Sequence, residues 1–183
     1  MSANKLTKLS LVVAIAITGT FEGYRTVAYQ DIGGVWTACF GETLGIKKGD
    51  SFTDEQCKAM LANSLNKHNI PLEEIPQQLP LGVHIATLDF AYNVGVGNLR
   101  RSALYRYLKN GDYDAACGEF PRWRYAAKRD CSIRSNNCYG VYTRRLIEQD
   151  LCRGELSVEQ AMIKLKAIPL DNEILKELSH ATQ

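Results

Sequence analysis

Two carboxylates stand nine residues apart early in the chain: Glu22, closing an uncharged apolar run, and Asp31, in a glycine-rich turn. Cleavage of a glycosidic bond needs a carboxylic acid to protonate the leaving oxygen. It also needs a second carboxylate, acting on water or on the sugar itself. Glu22 follows Phe21 and a stretch without charge, so its side chain is expected to be partly desolvated. Burial disfavours the charged form of a carboxyl group, which suits a proton donor. Asp31, beside Gly33 and Gly34, is expected to face solvent. Two carboxyls in unlike surroundings suit an acid and a base assignment. By itself the pair is a weak signal, because an acid ending a helix and an aspartate in a turn are both common.

The elements around the pair are legible from pattern. Tyr24 to Thr43 is rich in glycine and β-branched residues and alternates around Val35, Thr37 and Cys39, which predicts two or three short strands joined at residues 31–34. Thr53 to Gln56 is a capping-box pattern, and Cys57, Met60, Leu61 and Leu65 follow at helical spacing. Pro71, Pro76 and Pro80 are expected to mark a connection between lobes. Leu81 to Val94 predicts a buried helix ended by Gly95 and Gly97, followed by helices at about 102–109, 113–119 and 142–151. Beyond Glu155, Met162, Ile163, Leu165, Ile168, Ile174 and Leu178 predict a partly helical tail broken at Pro169.

Composition bounds the rest. With 183 residues, 45% hydrophobic and 23% charged, the chain can bury a substantial core. Net charge is only +2, but residues 100–145 hold eleven Lys/Arg against four Asp/Glu. That stretch reads equally as a solvated helical surface or as an attraction to an anionic polymer. No nucleic-acid-binding motif accompanies it. Six cysteines, none in a CxxC spacing, with three histidines in all, argue against a zinc cluster and favour disulfides in an oxidising compartment. Six cysteines allow fifteen pairings, so the count alone does not choose among them.

The resemblance that organises these features is carried by Phe21–Gly23, Ala28–Asp31, Gly34–Thr37 and Gly41–Thr43. A second block is Phe90–Asn98 with Ser102–Leu104 and Asn110–Asp112, and a third is Arg122-Trp123, Tyr125-Ala126 and Gly140–Glu148 with its Arg144-Arg145 pair. In this order, from Phe21 to Cys152, the chain resembles the phage-type lysozymes, glycoside hydrolase family 24. The resemblance implies an α+β, mostly helical, two-lobed lysozyme-like fold. It also implies hydrolysis of the β-1,4 bond between N-acetylmuramic acid and N-acetylglucosamine in peptidoglycan. Carried over by position, Glu22 is the general acid, and Asp31 with Thr37 positions the attacking water, with inversion at the anomeric carbon. A threonine hydroxyl can accept from and donate to one water. Peptidoglycan glycan strands are the implied partner, acted on by a monomer with no metal, cofactor or nucleic acid. Tyr92 and Asn93 read equally as core or functional residues, Trp123 and Tyr125 as packing residues or walls of the saccharide cleft, and Arg144 and Arg145 as contacts to wall carboxylates or as helix-surface or capping residues.

Two features depart from the family pattern. Glu42 stands where relatives commonly carry histidine, placing a third carboxylate near the site. Cys131 to Cys138 reads as an inserted loop whose span suits a local disulfide closing a hairpin. The family fold further suggests Cys39 with Cys57 and Cys117 with Cys152. The expected division is 1–21 as an apolar segment, 22–70 as a small β-containing lobe with the active site, 71–153 as a helical lobe, and 154–183 as a helical extension.

Leu9 to Phe21 is apolar for thirteen residues, with Lys5 and Lys8 before it, short of the ~20 that cross a bilayer. It reads as a cleaved signal with Ala14 and Ala16 at the cut, as a buried first helix, or as a reversible anchor. The last resembles the signal-anchor-release endolysins and predicts a periplasmic enzyme of a Gram-negative host, tethered to the inner membrane before release. Two other functions fit parts of the pattern: a lytic transglycosylase, which uses one glutamate and no water-positioning aspartate, and a non-catalytic wall-binding protein on the same scaffold.

Overall fold

Thr7 opens the first helix by accepting a hydrogen bond from the Ser10 N–H, while the Ser10 hydroxyl caps Thr7 in return. In the computed structural model, which describes residues 4–31 and 33–165, this helix (α1, Lys8–Glu22) runs through the protein interior. Val13, Ala14, Ile17 and Thr18 are almost fully covered, by the helices α2 (Asp54–Glu73), α3 (Leu81–Val94) and α8 (Val158–Leu165). A helix covered on several sides has no need of a polar face, which accounts for the uniformly apolar run. In this folded state Leu9 to Phe21 forms a largely buried first helix. Among the described residues no helix is long and apolar enough to cross a membrane.

Gly23, at a positive φ of 72°, turns the chain out of α1 into an antiparallel hairpin of β1 (Arg25–Gln30) and β2 (Trp36–Cys39). Tyr29 pairs with Thr37 and Gln30 with Trp36, and the register shifts toward Arg25 and Cys39. A bridge from Val27 to Ser51 adds a third short stretch. The Cys39–Cys57 disulfide ties the end of β2 to the first turns of α2.

The helical part is built around α3, in which every residue from Val83 to Ala91 is buried. Its main neighbour is α7 (Tyr139–Arg153). Gly82 permits the contact, since a β-carbon there would collide with the Leu151 carbonyl of α7. Short helices α4 (Val96–Arg101), α5 (Ala103–Lys109) and α6 (Tyr113–Gly118) and a 3₁₀ turn at Phe120–Trp123 close the core around Phe90, Leu104 and Phe120. Cys117–Cys152 joins α6 to α7. These features make a mostly helical α+β, lysozyme-like fold.

Several sequence expectations need correcting. Pro71 lies inside α2, whose last turn continues to Glu73, so the connection spans residues 74–80 only. Helix α4 escaped notice because Gly95 and Gly97 read as breakers, whereas Gly95 (φ 86°) turns the chain directly into it. Helix α7 is longer than the expected 142–151. The Cys131–Cys138 bridge does not close a hairpin. The two-stranded ribbon of β3 (Tyr125–Ala126) and β4 (Arg129–Asp130) precedes it, and the bridge encloses a 3₁₀ turn at Arg134–Asn136. The predicted tail begins as α8, while Ile168, Pro169, Ile174 and Leu178 lie outside the described residues.

Candidate active site

Glu22 is the last residue of α1, where the buried helix reaches the hairpin. Its side chain retains 20% exposure, and Oε1 accepts a 2.6 Å hydrogen bond from Arg144 Nη1 on α7. Gly41, just after β2, passes beside the other carboxyl oxygen. The guanidinium of Arg144 also stacks over the Phe21 ring at 4.7 Å.

Arg144 is itself fixed from α3. Its Nε and Nη2 donate to the two Asp89 oxygens at 2.8 and 2.9 Å, and Thr18 of α1 donates to Asp89 at 2.7 Å. Burial pushes the Asp89 carboxyl up, but Arg144 outweighs it and the net displacement is downward. Burial works against the Arg144 charge as well, and Asp89 and then Glu22 outweigh that, so the guanidinium is held more firmly protonated. Arg145 lies beside it, fully buried, donating from Nη2 to Glu148 at 2.6 Å and to Asn93 at 3.1 Å. Its guanidinium stacks on Phe90 at 4.9 Å.

Asp31 and Thr37 stand on the hairpin and share one backbone partner. The Val35 carbonyl accepts from the Asp31 N–H at 3.0 Å and from the Thr37 hydroxyl at 3.1 Å. The Val35 N–H in turn donates to Asp31 Oδ1 at 2.9 Å. Asp31 is exposed and Thr37 almost wholly buried. Because the Thr37 hydroxyl hydrogen is committed to Val35, the oxygen can only accept from a water. This refines the expectation that it would both accept and donate.

Glu42 is half-buried and linked to β2 by a bridge to Ala38. Burial pushes its carboxyl up, against hydrogen bonds from Ser64 and Tyr92 and the nearby charges of His68 and Lys67. Tyr92 donates to the Phe40 carbonyl at 3.0 Å and lies 3.5 Å from Glu42. Burial, then the charges of Glu42 and Glu22, push the Tyr92 hydroxyl up. Tyr92 thus fastens the Phe40–Glu42 turn that passes over Glu22.

Arg144 and Arg145 are corrected from surface or wall-contacting residues to buried members of an internal charge cluster. Other basic residues are paired as well, Arg100 with Glu74 and Arg124 with Asp130, so the surface excess is smaller than the sequence count. Trp123 packs edge-on against Phe90 at 5.1 Å, its core role, while Tyr125 is exposed. Asp89 and Glu148 were missed. The signal for Asp89 was a carboxylate within the apolar run Leu81–Val94, which a buried helix holds only with a partner; Glu148, on the mixed-polarity α7, had none. Among the described residues no cluster of three or more metal-ligating side chains occurs.

Residues 19–148 match the family model described as phage lysozyme. The SAR-endolysin of Bacteriophage PS119 is 35% identical over 152 residues, covering 77% of this chain and 84% of that protein. The SAR-endolysin of Enterobacteria phage PA-2 is 34% identical over 148 residues, covering 77% and 86%. A probable prophage lysozyme of Escherichia coli (strain K12) is 36% identical over 131 residues, covering 68% and 73%. Among solved structures, the active form of P1 phage endolysin Lyz superposes with a TM-score of 0.68 at 22% identity, covering 79% of this chain and 85% of that one. The endolysin of Escherichia coli phage FAHEc1 gives 0.67 at 22%, covering 82% and 94%.

Proposed function

The chain belongs to the phage lysozyme family and is a peptidoglycan-cleaving muramidase; from that premise we propose that Glu22 is its proton donor, with Asp31 and Thr37 holding the attacking water. The bond cut joins N-acetylmuramic acid to N-acetylglucosamine, and its cleavage along the glycan strands lyses the host cell. The observation that carries the assignment of Glu22 is its placement: a carboxyl mostly covered by protein, at the end of a buried helix, oriented by a guanidinium that Asp89 fixes.

In the proposed reaction Glu22 gives its proton to the glycosidic oxygen as the bond to the anomeric carbon breaks. A water donates one hydrogen to Thr37 Oγ1 and the other to the free Asp31 oxygen, leaving its lone pair directed at the opposite face of the sugar. Asp31 takes up the proton as the new bond forms, and the configuration inverts. Residues 22–70 supply these groups and residues 71–153 the arginine scaffold behind them. Comparison of wild type with Glu22→Gln on purified cell walls tests this. Wild type should release reducing ends of inverted configuration and Glu22→Gln almost none. Equal clearing by both, or anhydro-sugar ends, removes the assignment.

The same proposal extends to location. The apolar, uncharged run after Lys5 and Lys8, and the name SAR-endolysin borne by relatives, support a periplasmic enzyme first held at the inner membrane by its N-terminal segment. The fifteen residues of α1 fall short of the ~20 of a stable span, which favours shallow, reversible residence. A segment in the bilayer would carry Glu22 away from Arg144, so the tethered enzyme would be inactive. Fractionation that finds intact protein only in the cytoplasm until lysis rejects the tether and leaves the chemistry untouched.

A further inference from the structure

Cys39 ends β2 with a backbone angle that L-residues seldom adopt, φ 56°. Among the described residues three other non-glycines share the left-handed region, and local chemistry accounts for each. Ala127 and Lys128 are the two-residue loop of the β3–β4 hairpin, a turn that requires positive φ at both places. Asn137 is of a type that tolerates it. Cys39 has no such account. It opens a three-residue loop, Cys39 to Gly41, closed by two backbone hydrogen bonds of 2.9 Å between Ala38 and Glu42. Both ends of that loop are left-handed. Glycine takes the conformation freely at Gly41, whereas at Cys39 the residue is buried and bonded to Cys57.

The chain is fixed on both sides of Cys39. Before it, Thr37 lies in the ladder opposite Tyr29, and Ala38 is fully buried. After it, the Phe40 carbonyl accepts from Tyr92 of α3, and the Phe40 ring is seated on α1 at Gly19, where a β-carbon would stand 3.1 Å from it. Gly41 then comes so close to Glu22 that a β-carbon on it would lie 3.7 Å from Oε2. Cys39 is thus the joint between the Thr37 hydroxyl and the backbone laid against the Glu22 carboxyl. The disulfide fastens this joint to α2, whose first turn is held by its own capping box at Thr53 and Gln56. The two α-carbons are 5.0 Å apart, and relaxation of Cys39 to extended backbone would swing its β-carbon away from Cys57.

We propose that Cys39 is a positioning residue: its bond to Cys57 holds the left-handed backbone that sets Thr37 and Gly41 at their working separation across the site. The mechanism rests on Glu22 and Thr37 being proton donor and water holder; the dependence on residue type at position 39 does not. A disulfide that only stabilised the fold would act by restricting the unfolded chain. Once such a bridge is gone, the residue left at position 39 has no bearing on turnover. A disulfide that imposes φ predicts the opposite. Glycine enters the left-handed region freely, asparagine with little strain and alanine with more. Turnover is sensitive to the difference, because a displacement of about 1 Å at a reacting group costs on the order of a hundredfold.

The test compares three full-length double variants with wild type on a soluble glycan substrate, below their melting temperatures. Cys39→Ala/Cys57→Ala should lower kcat about thirtyfold with KM within about threefold. Cys39→Gly/Cys57→Ala lacks the bridge as well, yet should restore kcat to within about threefold of wild type, with Cys39→Asn/Cys57→Ala between the two. Amide hydrogen exchange reads the loop directly. Protection of the Ala38 and Glu42 N–H groups is expected in wild type and the glycine variant and lost in the alanine variant. Equal kcat for the glycine and alanine variants, at whatever level, overturns the proposal. Should the alanine variant fail to fold, the glycine variant must still turn over like wild type and faster than the asparagine variant; equal rates for those two overturn it. An active Glu22→Gln would end the proton-donor reading, while the glycine–alanine comparison still reports on Cys39.

Discussion

Arg144 Nη1 lies 2.6 Å from Glu22 Oε1, joining residues 122 positions apart in the chain. The same guanidinium grips Asp89 with two further bonds, so the direction of the Glu22 carboxyl is set by α3 and α7 together. A lysine carries the charge but not the planar fork, and it cannot hold Asp89 through two bonds while reaching Glu22. Arg144→Lys is expected to lower kcat on a soluble glycan substrate about a hundredfold, with a smaller change in KM. It should also lower the melting temperature, because Asp89 is left buried with an imperfect partner. Wild-type kcat in a folded Arg144→Lys protein would contradict this.

Val35 makes a separate prediction for the water side of the site. Asp31→Asn retains an amide oxygen to accept the Val35 N–H but cannot take a proton from water. Asp31 is exposed, so this variant should melt like wild type while kcat falls by about 10²–10⁴. Thr37→Ser preserves the hydroxyl and should retain most activity, whereas Thr37→Val removes the acceptor and should resemble Asp31→Asn. Thr37→Val with wild-type kcat would exclude Thr37 from holding the water.

Asn4 fastens the segment that leads into α1. Its Nδ2 donates to the carbonyls of Leu72, Ile75 and Gln77, its Oδ1 accepts from the Leu79 N–H, and its own carbonyl accepts from Asn69. These bonds satisfy backbone groups at the end of α2 and in its connection to α3, where Leu72, Ile75 and Leu79 are buried. Asn4→Ala leaves several of those groups without a partner and should cost about 2–4 kcal/mol of stability. Thermal melting and kcat distinguish this from a role in chemistry: the melting temperature falls and kcat of the folded fraction stays at the wild-type value.

The residues proposed to carry the reaction chemistry were more legible in the sequence than those that hold them. Glu22, Asp31 and Thr37 stood out through a family resemblance carried by local motifs at fixed spacing, and the capping box at Thr53 and the buried run of α3 followed from short-range pattern. The scaffold was not legible in that way. Arg144 and Arg145 read as surface residues because charge is usually solvated, and only a tertiary contact with Asp89 and Glu148 makes their burial tolerable. The apolar run of α1 was ambiguous for a related reason. A helix surrounded by protein and one surrounded by lipid require the same composition, and only the packing of α2, α3 and α8 shows which surroundings the folded state provides.

His84 extends the argument to pH. It is 5% exposed on α3, with Nε2 2.6 Å from Asn69 Oδ1. That contact needs an Nε2–H donor, which the neutral ring supplies. Burial pushes its pKa down to about 4, below the roughly 6.5 of an unfolded histidine. Above about pH 6.5 the ring is neutral in both states and costs no stability. As pH falls from there toward 4, the unfolded chain takes up a proton that the folded ring resists, so stability declines by an amount on the order of 3 kcal/mol once both pKa values are passed. Denaturant melts of wild type should therefore weaken progressively between about pH 6.5 and pH 4. In His84→Gln, whose amide N–H₂ can still donate to Asn69, this part of the decline should disappear, whatever stability the substitution costs at pH 7. Parallel slopes for the two proteins across that window would show that His84 is not the group that titrates.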